Sequence, residues 1–225
     1  PEPNVLPREE GDRGEARMLS AIIPCVLEQN NFEETYDNAM WSKMKSGTAV
    51  YKVVWDKNKL NGLGDIGVEC ANILNLFWEP GITDIQKSRY FFHTELCDKD
   101  LLQEKYPEQL KDKHLSDTFI ATKFLYDDHV DTENKVTVIE CYYHKFIQGK
   151  NTLQYVKYVG DTVLYATEND MQPTVDELGQ PKPPMALVGL YDHGRYPYVF
   201  DALYPIEGSP CGYGYVDICQ KAQTE

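Results

Sequence analysis

The sequence predicts an α+β fold, with N-terminal helices packed on a mainly antiparallel β-sheet. Three observations carry this. Apolar residues recur every four positions as far as Met44. The period changes to two after Gly47. From there, short β-branched and aromatic runs alternate with Gly, Asn and Asp turn signals. Four linear parts follow: residues 1–14 linker-like, 15–47 helical, 48–208 β-rich, and 209–225 the start of a further helix.

Residues 1–14 are polar and proline-bearing. The first helical stripe is Met18/Leu19, Ile22/Ile23 and Val26/Leu27, and Pro24 inside it is expected to kink or split the helix. Phe32, Tyr36, Met40 and Met44 form the second, with Trp41 beside them and Gly47 as its stop. Both stripes read as core packing. Residues 48–55 then read as a strand, 57–64 as a hairpin loop with an Asn61-Gly62 turn, and 65–71 as the returning strand. Extended chain is expected over 73–78, a turn at Glu79-Pro80-Gly81, and a strand over 89–96. Asp98 is placed to N-cap a short helix over 99–105. A short helical or irregular stretch (107–114) and an acidic loop (127–134) precede a meander of strands at 136–147, 152–159 and 162–166. Residues 167–184, rich in proline and acids, read as an exposed loop, with strands at 185–191 and 198–204 after it. A glycine-rich stretch leads into a helix near Tyr215, and the chain stops inside that helix with no cap. The whole reads as an internal piece of a larger structural protein. Its expected core includes Leu19, Ile22, Ile23, Val26, Phe32, Tyr36, Met40, Val50, Val53, Trp55 and Phe77.

Composition supports a packed chain: 42% hydrophobic residues, 26% charged, and 16 Tyr among the aromatics place it outside the disordered class. The net charge of −14 and the lack of a Lys/Arg run argue against tight, salt-dependent gripping of a nucleic-acid backbone. No apolar run approaches the roughly 18 residues of a membrane helix, and no signal peptide precedes the first acidic segment. Six widely spaced cysteines without Cys-x-x-Cys, and no Asn-x-Ser/Thr sequon, read as reduced thiols of a protein assembled in a cytoplasm.

Motifs that could carry chemistry fail on context. Gly62-Leu-Gly64-Asp-Ile-Gly67 matches G-x-G-x-x-G, but Ile66, Val68 and Cys70 after it alternate as a strand, where a dinucleotide site needs a helix. Asp56-Lys-Asn58 opens like a calcium loop, but Leu60 and Gly67 occupy positions that need oxygen ligands. Cys141 and His144 fall on opposite faces of a strand; His93 and Cys97 share a face but lie about 13 Å apart. Ser209-Pro-Cys211-Gly precedes a helix, where a thiol can be activated, yet Pro210 occupies the middle of Gly208-x-x-x-Gly212, where a nucleophile elbow needs its Ser or Cys. No catalytic, cofactor-binding or metal residue is therefore assigned, and no cofactor is expected. No G-x-x-x-x-G-K-[ST] loop occurs, so no ATP turnover is expected.

Three stretches resemble the portal proteins of tailed bacteriophages and their prophage relatives. They are GTAVYKVVWDKNKLNGLGDIGVE (47–69), LNLFWEPGITDIQKSRYFFHTE (74–95) and HGRYPYVFDALYPIEGSPCGYGYVDICQKAQTE (193–225). Together they cover about a third of the chain, in the family's order and spacing. The resemblance implies a structural subunit of a dodecameric ring at one vertex of the capsid, made and assembled in the bacterial host cytoplasm, through whose tunnel double-stranded DNA is packaged and ejected. It implies a terminase large subunit, capsid or scaffold proteins and head–tail adaptors as partners, DNA passage without sequence-specific binding, and no membrane. The stretches correspond to the wing region, ending where the first stem helix starts; no DNA-tunnel residue is assigned. The alternatives are another virion head–tail connector or adaptor and, further off, a hydrolase domain with a cysteine nucleophile.

Overall fold

A computed structural model describes residues 4–111, 113, 115, 133–175 and 180–223. Two compact units divide them, one built from residues 1–71 and 197–225 and the other from 72–196. The first unit opens with helices α1 (Arg13–Gln29) and α2 (Phe32–Ser46), followed by strands β1 (Thr48–Asp56) and β2 (Asp65–Cys70). The second unit contains β3 (Leu76–Trp78), β4 (Tyr90–Asp98), α3 (Lys99–Lys105), β5 (Lys135–Ile147), β6 (Lys150–Val159), β7 (Thr162–Ala166), the short ladder β8 (Thr174–Val175) and β9 (Pro181–Lys182), and α4 (Met185–Val188). The chain then returns to the first unit as β10 (Tyr198–Ala202), β11 (Tyr204–Pro205), β12 (Gly212–Tyr213) and α5 (Tyr215–Gln223). The fold is mixed helix and antiparallel sheet, as the change of period implies.

In the first unit the sheet order is β10-β1-β2, all antiparallel. The predicted hairpin forms around Asn61-Gly62, both at positive φ. Asn30, at the end of α1, locks the helices to this hairpin: its amide donates to the Val26 and Ile66 carbonyls, and its oxygen accepts from the Val68 amide. Gly47 ends α2 in the left-handed region (φ +83°), its amide bonded to the Lys43 carbonyl at 2.9 Å. A Cβ there would enter the Gly212 carbonyl as well as strain the backbone. Gly47→Ala should therefore cost about 3 kcal/mol or more. Gly62→Ala, at φ +93° with open space around it, should cost only about 1 kcal/mol. Urea unfolding of the two variants checks this, and equal losses would refute the contact argument.

In the second unit a five-stranded antiparallel meander runs β3-β4-β5-β6-β7. Phe91, Val136, Val138, Leu153 and Val159 are almost fully buried in it. Leu102 of α3, with Leu110 and Leu115, packs on Val136, Val138, Val159 and Leu164. Asp98 holds the N-cap position of α3 but makes no cap bond. Its carboxylate accepts from Lys135 Nζ at 2.6 Å, a charged donor outcompeting a backbone amide.

Several expectations need correction. Of the eleven expected core residues, Val50 alone is fully buried; Ile23, Val26, Phe32 and Met40 are half-buried, and Leu19, Ile22, Tyr36, Val53, Trp55 and Phe77 are exposed. Helical periodicity marks an apolar face but does not say what covers it, and on α1 and α2 the fully buried side chains are Ala16 and Ala39. On β1, β10 pairs only with Thr48 to Lys52, so Val53 and Trp55 run past it on a two-stranded ribbon. Phe77 sits on a three-residue edge strand whose inward side is taken by Leu76.

Helix α1 runs unbroken through Pro24, because one missing amide leaves the flanking turns with their own bonds. Residues 73–75 form a 3-10 turn capped by Asn72, whose side chain accepts from the Leu74 amide, so only Leu76–Trp78 is strand. Residues 185–191 are not a strand. Met185–Val188 is a single helical turn between Pro184 at its start and Gly189 (φ +83°) at its end, the punctuation that favours a helix. The expected loop over 167–184 begins with a 3-10 turn in which Thr167 is fully buried, donating to Gln154 Oε1 and accepting from the Tyr155 amide. The acidic segment over 127–134 lies outside the described residues except for Glu133 and Asn134, and Asp112 and His114 of the 107–114 stretch lie outside them too.

Candidate functional site

Among the described residues, a buried cluster of ionisable groups sits on one face of the five-stranded sheet, around Glu140. Period-two geometry places it there: Val136, Val138, Glu140 and Tyr142 point the same way along β5. The register aligns His93, Glu140 and Lys157 as one cross-strand row, with Phe91, Tyr142 and Tyr155 as the next. Glu140 is 5% exposed. Its Oε1 accepts from the Tyr155 hydroxyl (3.0 Å) and Lys157 Nζ (3.2 Å). Its Oε2 lies 3.2 Å from His93 Nδ1 and accepts from the Tyr142 hydroxyl at 3.3 Å. Burial alone would push the Lys157 ammonium down, but the Glu140 charge and hydrogen bond outweigh it and hold the group above its ordinary value.

Four donors on two carboxylate oxygens saturate the group's usual acceptor capacity. The arrangement binds three strands together through one buried charge and acts as a polar bolt through the sheet. A smaller relative lies nearby in sequence, where Glu168 accepts from Lys145 Nζ at 2.8 Å and from the Tyr143 hydroxyl. The Lys145 bond, then that of Tyr143, lowers the Glu168 carboxyl below the usual range.

Sequence reasoning weighed Cys141 and His144 on this strand and passed over Glu140. The available signal was an acid at an inward position of an alternating apolar strand, which demands a partner. The structure separates the pairs that were weighed. His144 hydrogen-bonds to Gly194 and Tyr196. His93 spends Nδ1 on Glu140, while Cys97 packs against the leucine cluster under α3. Among the described residues, no three His, Cys, Asp or Glu side chains gather as a metal ion requires. Asp56 Oδ1 accepts from the Asn58 amide at 2.9 Å, closing a tight turn. The G-x-G-x-x-G match spans the hairpin loop and enters β2, with no helix after it.

Cys211 and Cys141 are held as poor nucleophiles. Burial raises Cys211 above its ordinary value, against a smaller lowering by Ser209 and Thr48, and pushes Cys141 up to about 11. Only the thiolate alkylates. With iodoacetamide near pH 8, exposed Cys25 and Cys219 should label first and Cys141 about a hundredfold more slowly. Mass spectrometry of a time course reads the order, and fast labelling at Cys141 would contradict its burial.

Fold and cluster define a class: a mixed helix and antiparallel-sheet protein whose best-formed polar centre joins strands. The family model described as Phage P22-like portal protein matches residues 1–180, and the chain belongs to that family. It is thus a phage portal protein chain, of a family that is structural rather than enzymatic. No curated protein matches it. The match takes in the first two of the three portal-like stretches, and the third lies beyond it. Among the described residues no helix is long and apolar enough to cross a membrane.

Proposed function

We propose that this chain is the wing region of a portal subunit, and that the longer protein carrying it assembles into a closed dodecameric ring at a capsid vertex. Double-stranded DNA passes through that ring during packaging and ejection. The observation that carries this reading is the family match over residues 1–180, continued by the portal-like stretch at 193–225. In this reading residues 1–14 lead in, 15–208 build the wing and 209–225 start the stem helix. A terminase large subunit drives the DNA, and capsid or scaffold proteins and head–tail adaptors flank the ring.

Two features support it. The net charge of −14 suits a wall near moving DNA, because like charge prevents sticking. Met18, Leu19, Ile22, Trp41, Val216 and Ile218 are exposed on helices of the first unit, and a ring neighbour would cover such apolar surface. Ring closure follows when repeated head-to-tail contacts have the right rotation.

The test is mass by light scattering, with electron microscopy, on the longer protein. A closed ring is expected; a monomer under packaging-like conditions would overturn the reading. The 225-residue chain by itself should remain a monomer or a weak non-ring oligomer. Low-salt gel shift with duplex DNA should show no binding, and purified protein should show no ATP turnover; sub-micromolar affinity or turnover that tracks the protein would count against it.

A further inference from the structure

We propose that His144 is a proton-gated latch on the segment by which the chain leaves the five-stranded unit. His144 lies on β5 and is half-buried. Its Nε2 is 2.9 Å from the Gly194 carbonyl oxygen, and its Nδ1 is 3.0 Å from the Tyr196 hydroxyl. That hydroxyl is 2.7 Å from the Ser88 carbonyl oxygen. The imidazole and phenol rings meet edge to face, 4.7 Å apart.

This chain of contacts begins and ends on backbone carbonyls, which only accept hydrogen bonds. Its three links therefore need three protons. A neutral imidazole brings one and the phenol brings one. Either tautomer leaves one link unmade. With the proton on Nε2, the phenol must choose between Nδ1 and Ser88; with it on Nδ1, two acceptors face each other at Gly194. The imidazolium supplies the missing proton. Nε2–H then donates to Gly194, Nδ1–H donates to the Tyr196 oxygen, and the Tyr196 hydroxyl donates to Ser88.

The surroundings keep the count at three. Burial first, and then Cys141 and Glu79, push the Tyr196 phenol up, so it retains its proton throughout the imidazole's range. The Cys141 thiol, at about 11, stays neutral. Glu79 is an anion paired with Arg89 at 2.7 Å, and the Arg89 carbonyl accepts from the His144 amide. On β6 the residue opposite His144 is apolar Leu153. On the exit segment Asp192, His193 and Arg195 are exposed, with the Arg195 amide donating to His193 Nδ1. Lys145, next along β5, is engaged by Glu168.

The latch acts on a segment already gripped once. Gln86 accepts from the Tyr196 amide (2.9 Å) and donates to the Tyr196 carbonyl (3.2 Å), a hold indifferent to pH. Protonation adds a link that the unfolded chain lacks. The full hold is therefore present at low pH, and it weakens by one link as the pH rises and the ring loses a proton.

Amide exchange at Tyr196, corrected for the intrinsic rate, tests this on the full chain. Relative to His144→Gln, the wild type should be protected about fivefold more at about pH 5.5 than at about pH 8, one hydrogen bond's worth. Tyr196→Phe should abolish that pH-dependent part. A wild-type to variant ratio that is flat, or that rises toward alkaline pH, overturns the proposal. If a variant fails to fold, ring ¹⁵N spectra of the wild type decide. At the acid end both His144 ring protons should exchange slowly, whereas exchange as free as that of exposed His193 refutes the latch.

Discussion

Phe91→Ala should destabilise the five-stranded unit by about 3–5 kcal/mol. Phe91 is fully buried on β4. Its ring stacks with Trp78 at 6.5 Å and meets Tyr142 and Tyr196 at 6.5 and 5.8 Å. Truncation removes the apolar surface of the ring and leaves a cavity among three aromatics that are hydrogen-bonded or strand-bound and cannot collapse into it. Trp55→Ala gives the contrast. The periodicity of β1 places Trp55 in the core, where its loss would cost as much as that of Phe91. In the structure Trp55 is 53% exposed, and its replacement should cost about 1–2 kcal/mol. Urea unfolding followed by circular dichroism compares the two, and equal losses would mean that Trp55 is buried in solution.

Glu140→Ala should cost about 3–5 kcal/mol, because it leaves the largely buried Lys157 ammonium without its counter-charge. The pH dependence has a definite sign. In the wild type the Lys157 value is raised in the folded state, so its contribution is complete below the ordinary lysine value of about 10.4 and is lost as the pH rises through the folded value. In Glu140→Ala, burial is opposed only by the smaller influences of Tyr106 and Glu95 and favours neutral lysine, so the penalty should shrink as the pH approaches that range. A double-mutant cycle with Glu140→Gln and Lys157→Met should return a coupling of about 1–3 kcal/mol. A loss under about 1 kcal/mol for Glu140→Ala would show that the bolt is not what holds the three strands.

Much of the local structure was legible because its causes lie within a few residues of each other. Gly47 ends α2 through its own left-handed backbone. The Asn61-Gly62 turn sets the β1–β2 hairpin, and the turn at Gly160-Asp161 separates β6 from β7. The same logic, applied fully, would have found α4. Pro184 and Gly189 bracket it, but the apolar run Met185 to Leu190 does not by itself distinguish a strand from a buried helical turn. The Glu140 centre was less legible. Its partners come from three strands, and His93 and Lys157 are brought to it by register, which no single segment reveals.

By itself the sequence determined the α+β class, the order of most elements, the strand that follows the G-x-G-x-x-G match, and the portal resemblance that the family match bears out. All of these rest on local conformational preference or on the pattern of residue types along one strand or helix. Tertiary structure alone decided which apolar stripes are covered, so that Ala39 is buried while Tyr36 and Trp41 on the same helix are exposed. It also decided which polar residues meet: Glu140 with Lys157, and His144 with Tyr196. Burial and pairing depend on what other segments bring to a position, and the free energy of a side chain is set by those neighbours rather than by its own place in the periodic pattern.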